Sequence, residues 1–493
     1  MALRNSGAGL LACALLTISA HAQFGGGAGD YSTAGSDAQR SSWVRTDPKI
    51  SPGALQKPGF AFIWKVKVSN QPTTLSPANL LTRYIGYRGF RALAFIGGTS
   101  DRVFAFDTDL GHIEWQKSIA ASTSSCGMTS NLARPVSAAF PSGGGGRGGG
   151  GGGRGGPAKS AVGDSGEGAT ILKEIAARGG GDQQGGRRGA GAPGFPGGPG
   201  GRVRMPNYLH AISSDGMFHS MYVSNGEEPE PAIKFLPPNS TVAGLIVVDN
   251  VAYAVAGGGC GSAPNAVWAL DIASKQVTSW QSPAAIAGSE GLAFAPDGTV
   301  LVATDAGELA ALEPKTLKVR DIYKAGTPFT SSPVVLQKGE GAVAAVAAKD
   351  GRIHLIDPAK LAGAAYKSEP VAAGATSLAT YQDQSGARFL LAPTANSLVA
   401  LKVADQAVEP AWKRDIDSPL TPLVINGVVF GASGGKSNSV LYAFDGASGA
   451  PLWNSGKTIT SFVHGGGLSG GGSQVYLGTN DGTFYAFGFP IEH

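Results

Sequence analysis

One motif returns along this chain every 42 to 45 residues, and few folds tolerate such a repeat. Ala443-Phe444-Asp445 is followed by Ser448-Gly449 and then Trp453. Ala105-Phe106-Asp107 leads to Gly111 and Trp115 at the same spacing, and Ala269-Leu270-Asp271 leads to Trp280 one residue later. Weaker copies keep the register: Ala311-Leu312-Glu313 before Ile322, Leu355-Ile356-Asp357 before Tyr366, and Ala400-Leu401-Lys402 before Trp412. Ala486-Phe487-Gly488 is the last copy. Each unit reads as four short strands. In residues 243–281, Gly244 to Val248 and Val251 to Ala256 flank an Asp249-Asn250 turn, and Ala266 to Leu270 and Val277 to Trp280 follow. No long stretch has helical period, which argues against a parallel α/β sheet.

A period of 40 to 45 residues built from four strands predicts an all-β fold, a β-propeller of four-stranded antiparallel blades. Blades are expected at about 81–118, 205–235, 240–281, 285–323, 327–366, 370–413, 417–454 and 458–488. That count is eight, or seven if the irregular second unit is not a full sheet. The last unit ends at Phe489 without an outer strand. The missing strand is expected from Phe60 to Val68, which carries Trp64, so that the two ends of the chain close the ring and remove an exposed sheet edge.

The motif has a physical reading. The small Ala allows close packing, Asp and Gly shape the turn into the outer strand, and the Trp buries a large area against the adjacent blade. It resembles the pyrroloquinoline-quinone (PQQ) repeat, A-x-D-x-x-T-G-x-x-x-W, the tryptophan-docking motif of quinoprotein dehydrogenases. Ala443, Asp445, Ser448, Gly449 and Trp453 match it with Ser for Thr, and Ala105, Asp107, Gly111 and Trp115 match it with Leu110 at the Thr position. Asp271, Trp280, Trp412 and Trp64 extend the docking set. The resemblance covers most of residues 60–490. It implies the propeller fold. It implies cofactor chemistry much less, because outer-membrane assembly propellers share the repeat.

The remaining segments read differently. Arg4, the apolar run Gly9 to Ala20 and the small-x-small Ala20-His21-Ala22 predict a cleaved secretory signal over residues 1–22. Leu10-Leu11-Ala12-Cys13 loosely resembles a lipoprotein box, but the apolar run continues past Cys13, which disfavours anchoring there. Residues 23–59 are an N-terminal extension. No later run of about 20 apolar residues predicts a membrane span. A periplasmic or secreted monomer is therefore expected.

Residues 141–204 form an insertion placed between blades one and two. It is rich in Gly and Arg, and such a composition cannot bury enough apolar surface to fold. It carries nine Lys or Arg and four Asp or Glu, a balance of +5 out of the chain's +4, so the rest is close to neutral. Nucleic-acid binding, which needs a basic stripe on folded structure, is not expected. The three Arg-Gly-Gly tracts at Arg147, Arg154 and Arg178 read as a mildly basic surface loop. A protein or polysaccharide of the cell envelope is the better guess for a partner.

Chemistry is sparse. The family resemblance implies PQQ on the propeller axis, between a Trp and a vicinal Cys–Cys disulfide, with calcium held by acidic and amide side chains and an Asp as base. This sequence has no adjacent cysteines and no C-x-x-C-H, and no residue matches a calcium ligand or catalytic Asp individually. Cys126 and Cys260 fall on loops expected at one face, which suggests a bridge across blade two. Gly431 to Gly435 and Gly467 to Gly471 fit G-x-S-x-G, but lie among hairpins rather than at a strand–helix elbow. The reading is an exported binding or scaffolding propeller, with a PQQ-dependent alcohol or sugar dehydrogenase as the alternative and an envelope-assembly propeller as a third.

Overall fold

The computed structural model describes residues 29–86, 89–98, 101–120, 131–141, 207–258, 263–404, 407–463 and 467–490. They form eight sheets, the blades of an eight-bladed β-propeller. From the axis outward, blade three runs Thr241–Val248, Val251–Gly258, Ala263–Asp271 and Gln276–Gln281. Its hairpin at Asp249-Asn250 places both turn residues at positive φ, as a tight reversal requires. The inner strands of blades four to eight are Leu292–Phe294, Val334–Lys338, Ala379–Gln382, Leu423–Ile425 and Ser469–Gly471.

Each inner blade strand is covered on both faces by neighbouring blades. Leu245 to Val248 and Val428 to Ala432 are therefore buried without alternation, whereas the outer strand Gln276–Gln281 is largely exposed. Between blades five and six, Val334 and Leu336 pack with Leu390, Leu401 and Val403. Alanines such as Ala344, Ala345 and Ala347 fill fully buried positions in the clusters between blades.

The ring closes as the sequence suggests. Ala61–Lys67 pairs antiparallel with Thr483–Gly488, from Ala61 opposite Gly488 to Lys67 opposite Thr483. It supplies the outer strand of blade eight.

Two features differ from the sequence reading. Blade two has three regular strands, Tyr208–Ile212, Met217–Tyr222 and Ile233–Lys234, and its inner edge is completed from before the insertion. Ala133 exchanges both backbone hydrogen bonds with His210, at 3.0 and 2.8 Å. Before the insertion begins, Pro135–Val136 also pairs parallel with the inner strand of blade three, Pro135 opposite Val247 and Val136 opposite Val248. The insertion at 142–206 thus follows both pairings, rather than falling between blades one and two. The short pairing around Ala133 carries no repeat motif, which is why sequence spacing misses it. The second feature is the N-terminal extension, which is not a tail. Residues 31–42 are almost wholly buried, including Gln39 and Arg40 at 0% exposure.

Candidate functional site

The docking motif operates across blade boundaries. The Trp64 indole of blade eight donates to Thr108 O of blade one at 2.9 Å, over Gly111. Trp412 of blade six donates to Gly446 O of blade seven at 2.6 Å, over Gly449. In both pairs a Cβ on the glycine would enter the indole ring. Trp115 donates to Val223 O at 3.0 Å and lies over Gly226, a turn glycine that the motif spacing does not reveal. Trp453 meets Phe60 edge-on, with centroids 4.9 Å apart, and Trp280 packs on the cluster containing Leu317. The motif aspartates hold the turns: Asp107 accepts from the Asp109 and Leu110 amides, Asp271 from the Ser274 amide, and Asp445 from the Ser448 amide. Cys126 and Cys260 lie outside the described residues, as does the signal expected over residues 1–22.

The axis is where the chemistry concentrates. Inner strands of a propeller expose unpaired backbone groups toward the channel, and each must find a partner. Here the N-terminal segment supplies them blade by blade. Tyr31 O accepts from the Leu80 amide of blade one, and Ser32 O from Arg134 of blade two. The Thr33 hydroxyl donates to Leu245 O of blade three. Ala38, Gln39, Ser41 and Ser42 carbonyls accept from Phe294, Val335, Thr380 and Val424 of blades four to seven, at 2.8 to 3.0 Å. Trp43–Val44 then pairs parallel with blade seven, and Asp47 accepts from the Ser473 amide of blade eight at 2.7 Å. The segment is an axial strap touching all eight blades in order.

Two buried arginines fix the strap. Arg134 donates to Asn79, Asp30 and Ser32 side chains. Arg40 donates to Leu292 O at 2.8 Å, Gly244 O at 2.7 Å, Thr33 Oγ1 at 3.0 Å and Ala34 O. Burial lowers its pKa to about 10, so it stays charged at neutral pH. Sequence reading misses these residues because Tyr31 to Ser42 has the small polar composition of a linker.

Above the strap lies an axial funnel of about 430 Å³, the size of a small-molecule site. Its floor includes Tyr31, Ala34 and Gly35, and its walls are the loops entering the inner strands, with Pro77, Asn131, Ile286 and Leu468 among them. Asn131 is committed, its amide bridging both backbone groups of Leu245 at 3.0 and 2.8 Å. Glu290 is the one charged residue among the described lining residues, and it is 9% exposed. Desolvation pushes its pKa up to about 7, against the lowering effect of Arg40. Gly35, at φ 68°, leaves room for it: a Cβ there would lie 2.8 Å from the Glu290 carboxylate.

PQQ carries three carboxylates and fits this wall poorly. The described lining holds no Lys, Arg, His or Trp, and its charged group is itself an acid. Calcium needs six to eight oxygen ligands and favours several carboxylates, whereas the described lining offers one carboxyl, the committed Asn131 amide, the Asn265 amide and scattered hydroxyls. Elsewhere, Asp107, His112 and Glu114 cluster at the blade-one turn, but Arg91 pairs with both carboxylates and already supplies the positive charge. No helix among the described residues is long and apolar enough to cross a membrane.

Eight blades around an axis, several of them docked by the Trp motif, define the chain as an eight-bladed β-propeller. Its fold and repeat resemble those of the PQQ-repeat propellers. Residues 321–455 match the family described as outer membrane protein assembly factor BamB. No curated protein matches the chain in sequence. Among solved structures, it resembles the quinohemoprotein alcohol dehydrogenase of Comamonas testosteroni at 12% identity and TM-score 0.59, covering 94% of this chain and 81% of that one. A europium-containing methanol dehydrogenase is similar at 11% identity and TM-score 0.57, covering 94% and 98%. The computationally designed Ika8 protein is similar at 12% identity and TM-score 0.53, covering 86% and 98%. At such identities the likeness is one of fold.

Proposed function

We propose that this chain is an exported, non-catalytic binding propeller that takes a small molecule in its axial funnel. The observation that carries this reading is the funnel's donor set: one buried carboxyl, no cation and a largely apolar wall among the described residues. Beneath it the strap fills the inner strands' hydrogen-bonding edge with the chain's own backbone. The leader-like residues 1–22 support export. A PQQ-dependent dehydrogenase is the second reading, favoured by the likeness to alcohol and methanol dehydrogenases. An envelope-assembly role is favoured by the family match over residues 321–455, with an envelope protein or polysaccharide as partner.

The test is titration of the purified protein with PQQ, with and without calcium, followed by dye reduction with alcohols and sugars. No saturable absorbance change and no dye reduction are expected. Saturable binding with alcohol-dependent dye reduction would make the protein a dehydrogenase and overturn the reading.

A further inference from the structure

The Glu290 side chain is buried to nine-tenths, yet it faces a cavity and has no hydrogen-bond or ion-pair partner among the described residues. Its backbone is held, with the amide donating to the Ser332 hydroxyl at 3.1 Å. Buried carboxyls are ordinarily hydrogen-bonded, and one that is not carries a desolvation cost that a ligand can relieve. The charges around it explain why the protein does not relieve it internally. Arg40 lies below, but its guanidinium is engaged by Leu292, Gly244, Ala34 and Thr33. Asp37, the other charged group acting on Glu290, is paired with Arg45 at 3.0 Å and adds negative potential. The Tyr31 phenol is held neutral by burial.

We propose that the funnel binds a small organic monocation, an amine whose ammonium group sits on the Glu290 carboxylate while its apolar body lies against Val242, Val255, Ile286 and Leu468. This names the ligand class of the binding reading above and rests on it. An ammonium–carboxylate hydrogen bond is charge-assisted and strengthens as water is excluded. An alcohol forms only the weaker hydrogen bond, and an anion meets a like charge with no cation in the described lining to receive it. No covalent step is involved. With its pKa near 7, Glu290 is partly protonated at neutral pH, so seating a cation expels a proton to solvent.

The experiment is isothermal titration calorimetry of the full mature chain at pH 7, in two buffers of different ionisation enthalpy. The probes are benzylamine and tryptamine against their neutral isosteres, benzyl alcohol and tryptophol. Each amine is expected to bind at least about tenfold more tightly than its isostere. Roughly half a proton is released per amine bound. In Glu290→Gln the contrast and the proton release vanish. Isosteres that bind as tightly as the amines, with no change in Glu290→Gln, would overturn the ligand class and leave the funnel reading standing. No binding of either pair up to roughly 10 mM overturns the inference, and PQQ binding in the same preparation overturns the funnel reading with it. If the variant fails to fold, the amine contrast and proton release in the unaltered protein still decide the matter.

Discussion

Arg40→Met should destabilise the ring severely, although Arg40 belongs to no blade. Methionine keeps much of the volume but donates nothing. It leaves the Leu292, Gly244 and Ala34 carbonyls and the Thr33 hydroxyl without their donor in a fully buried site. Each orphaned acceptor costs about 1 kcal/mol at the low end, and losing a buried charged donor costs about 3–5 kcal/mol in all. Unfolding entropy of about 2.1 cal/mol/K per residue over roughly 400 ordered residues is about 0.8 kcal/mol/K, so Tm should fall by about 4–6 °C. The loss should be larger at pH 8 than at pH 5, because Arg40 lowers the pKa of Glu290 and an ionised Glu290 without it is uncompensated. Differential scanning calorimetry at the two pH values measures both effects. A shift below about 1 °C, equal at both pH values, would refute the claim that the strap is integral to the core.

The blade contacts and buried acids and bases give further expectations. Trp412→Ala removes the indole that covers Gly449 and donates to Gly446 O, and should cost about 3–5 kcal/mol by denaturant midpoint, while Trp412→Phe should cost markedly less. Gly35→Ala places a methyl at positive φ against Glu290 and should lower Tm and displace the carboxylate, read as a changed amine affinity. Glu290, raised to about 7, holds a proton that the unfolded chain releases near its ordinary 4.5. Its burial therefore costs nothing below that lower value, and the cost grows by about 1.4 kcal/mol per pH unit until pH about 7. Glu290→Gln should gain on the wild type across that window, in denaturant melts at successive pH values. His210, lowered to about 4 by burial, has the opposite sign: its contribution is complete above pH 6.5 and lost as pH falls toward 4, so His210→Gln should flatten the acid limb of the same profile.

The blades are legible in the sequence because each buries a strand pattern at fixed intervals. The Asp107, Asp271 and Asp445 turns and the Trp64 strand that closes the ring follow from spacing alone. The across-blade pairing of Trp412 with Gly449 is not legible as a contact, since the motif prints both residues without saying which copy meets which. The axial strap is invisible for a different reason. It is held by hydrogen bonds to the inner strands from its backbone and from short polar side chains such as Thr33 and Asp47, so it needs small polar residues and no apolar face. A segment stabilised in this way leaves no hydrophobic period to read. Glu290 is missed likewise, because a single acid between Gly288 and Gly291 looks like a loop residue until Arg40 and Gly35 are placed beside it.

Hydrogen exchange by mass spectrometry on the native protein tests the axial strap most directly. Peptides covering residues 29–45 should be as protected as the inner-strand peptides around Phe294, Val335 and Val424, exchanging only with the ring itself. Full exchange of residues 29–45 within seconds, while those strands stay protected, would contradict it and reopen the axis.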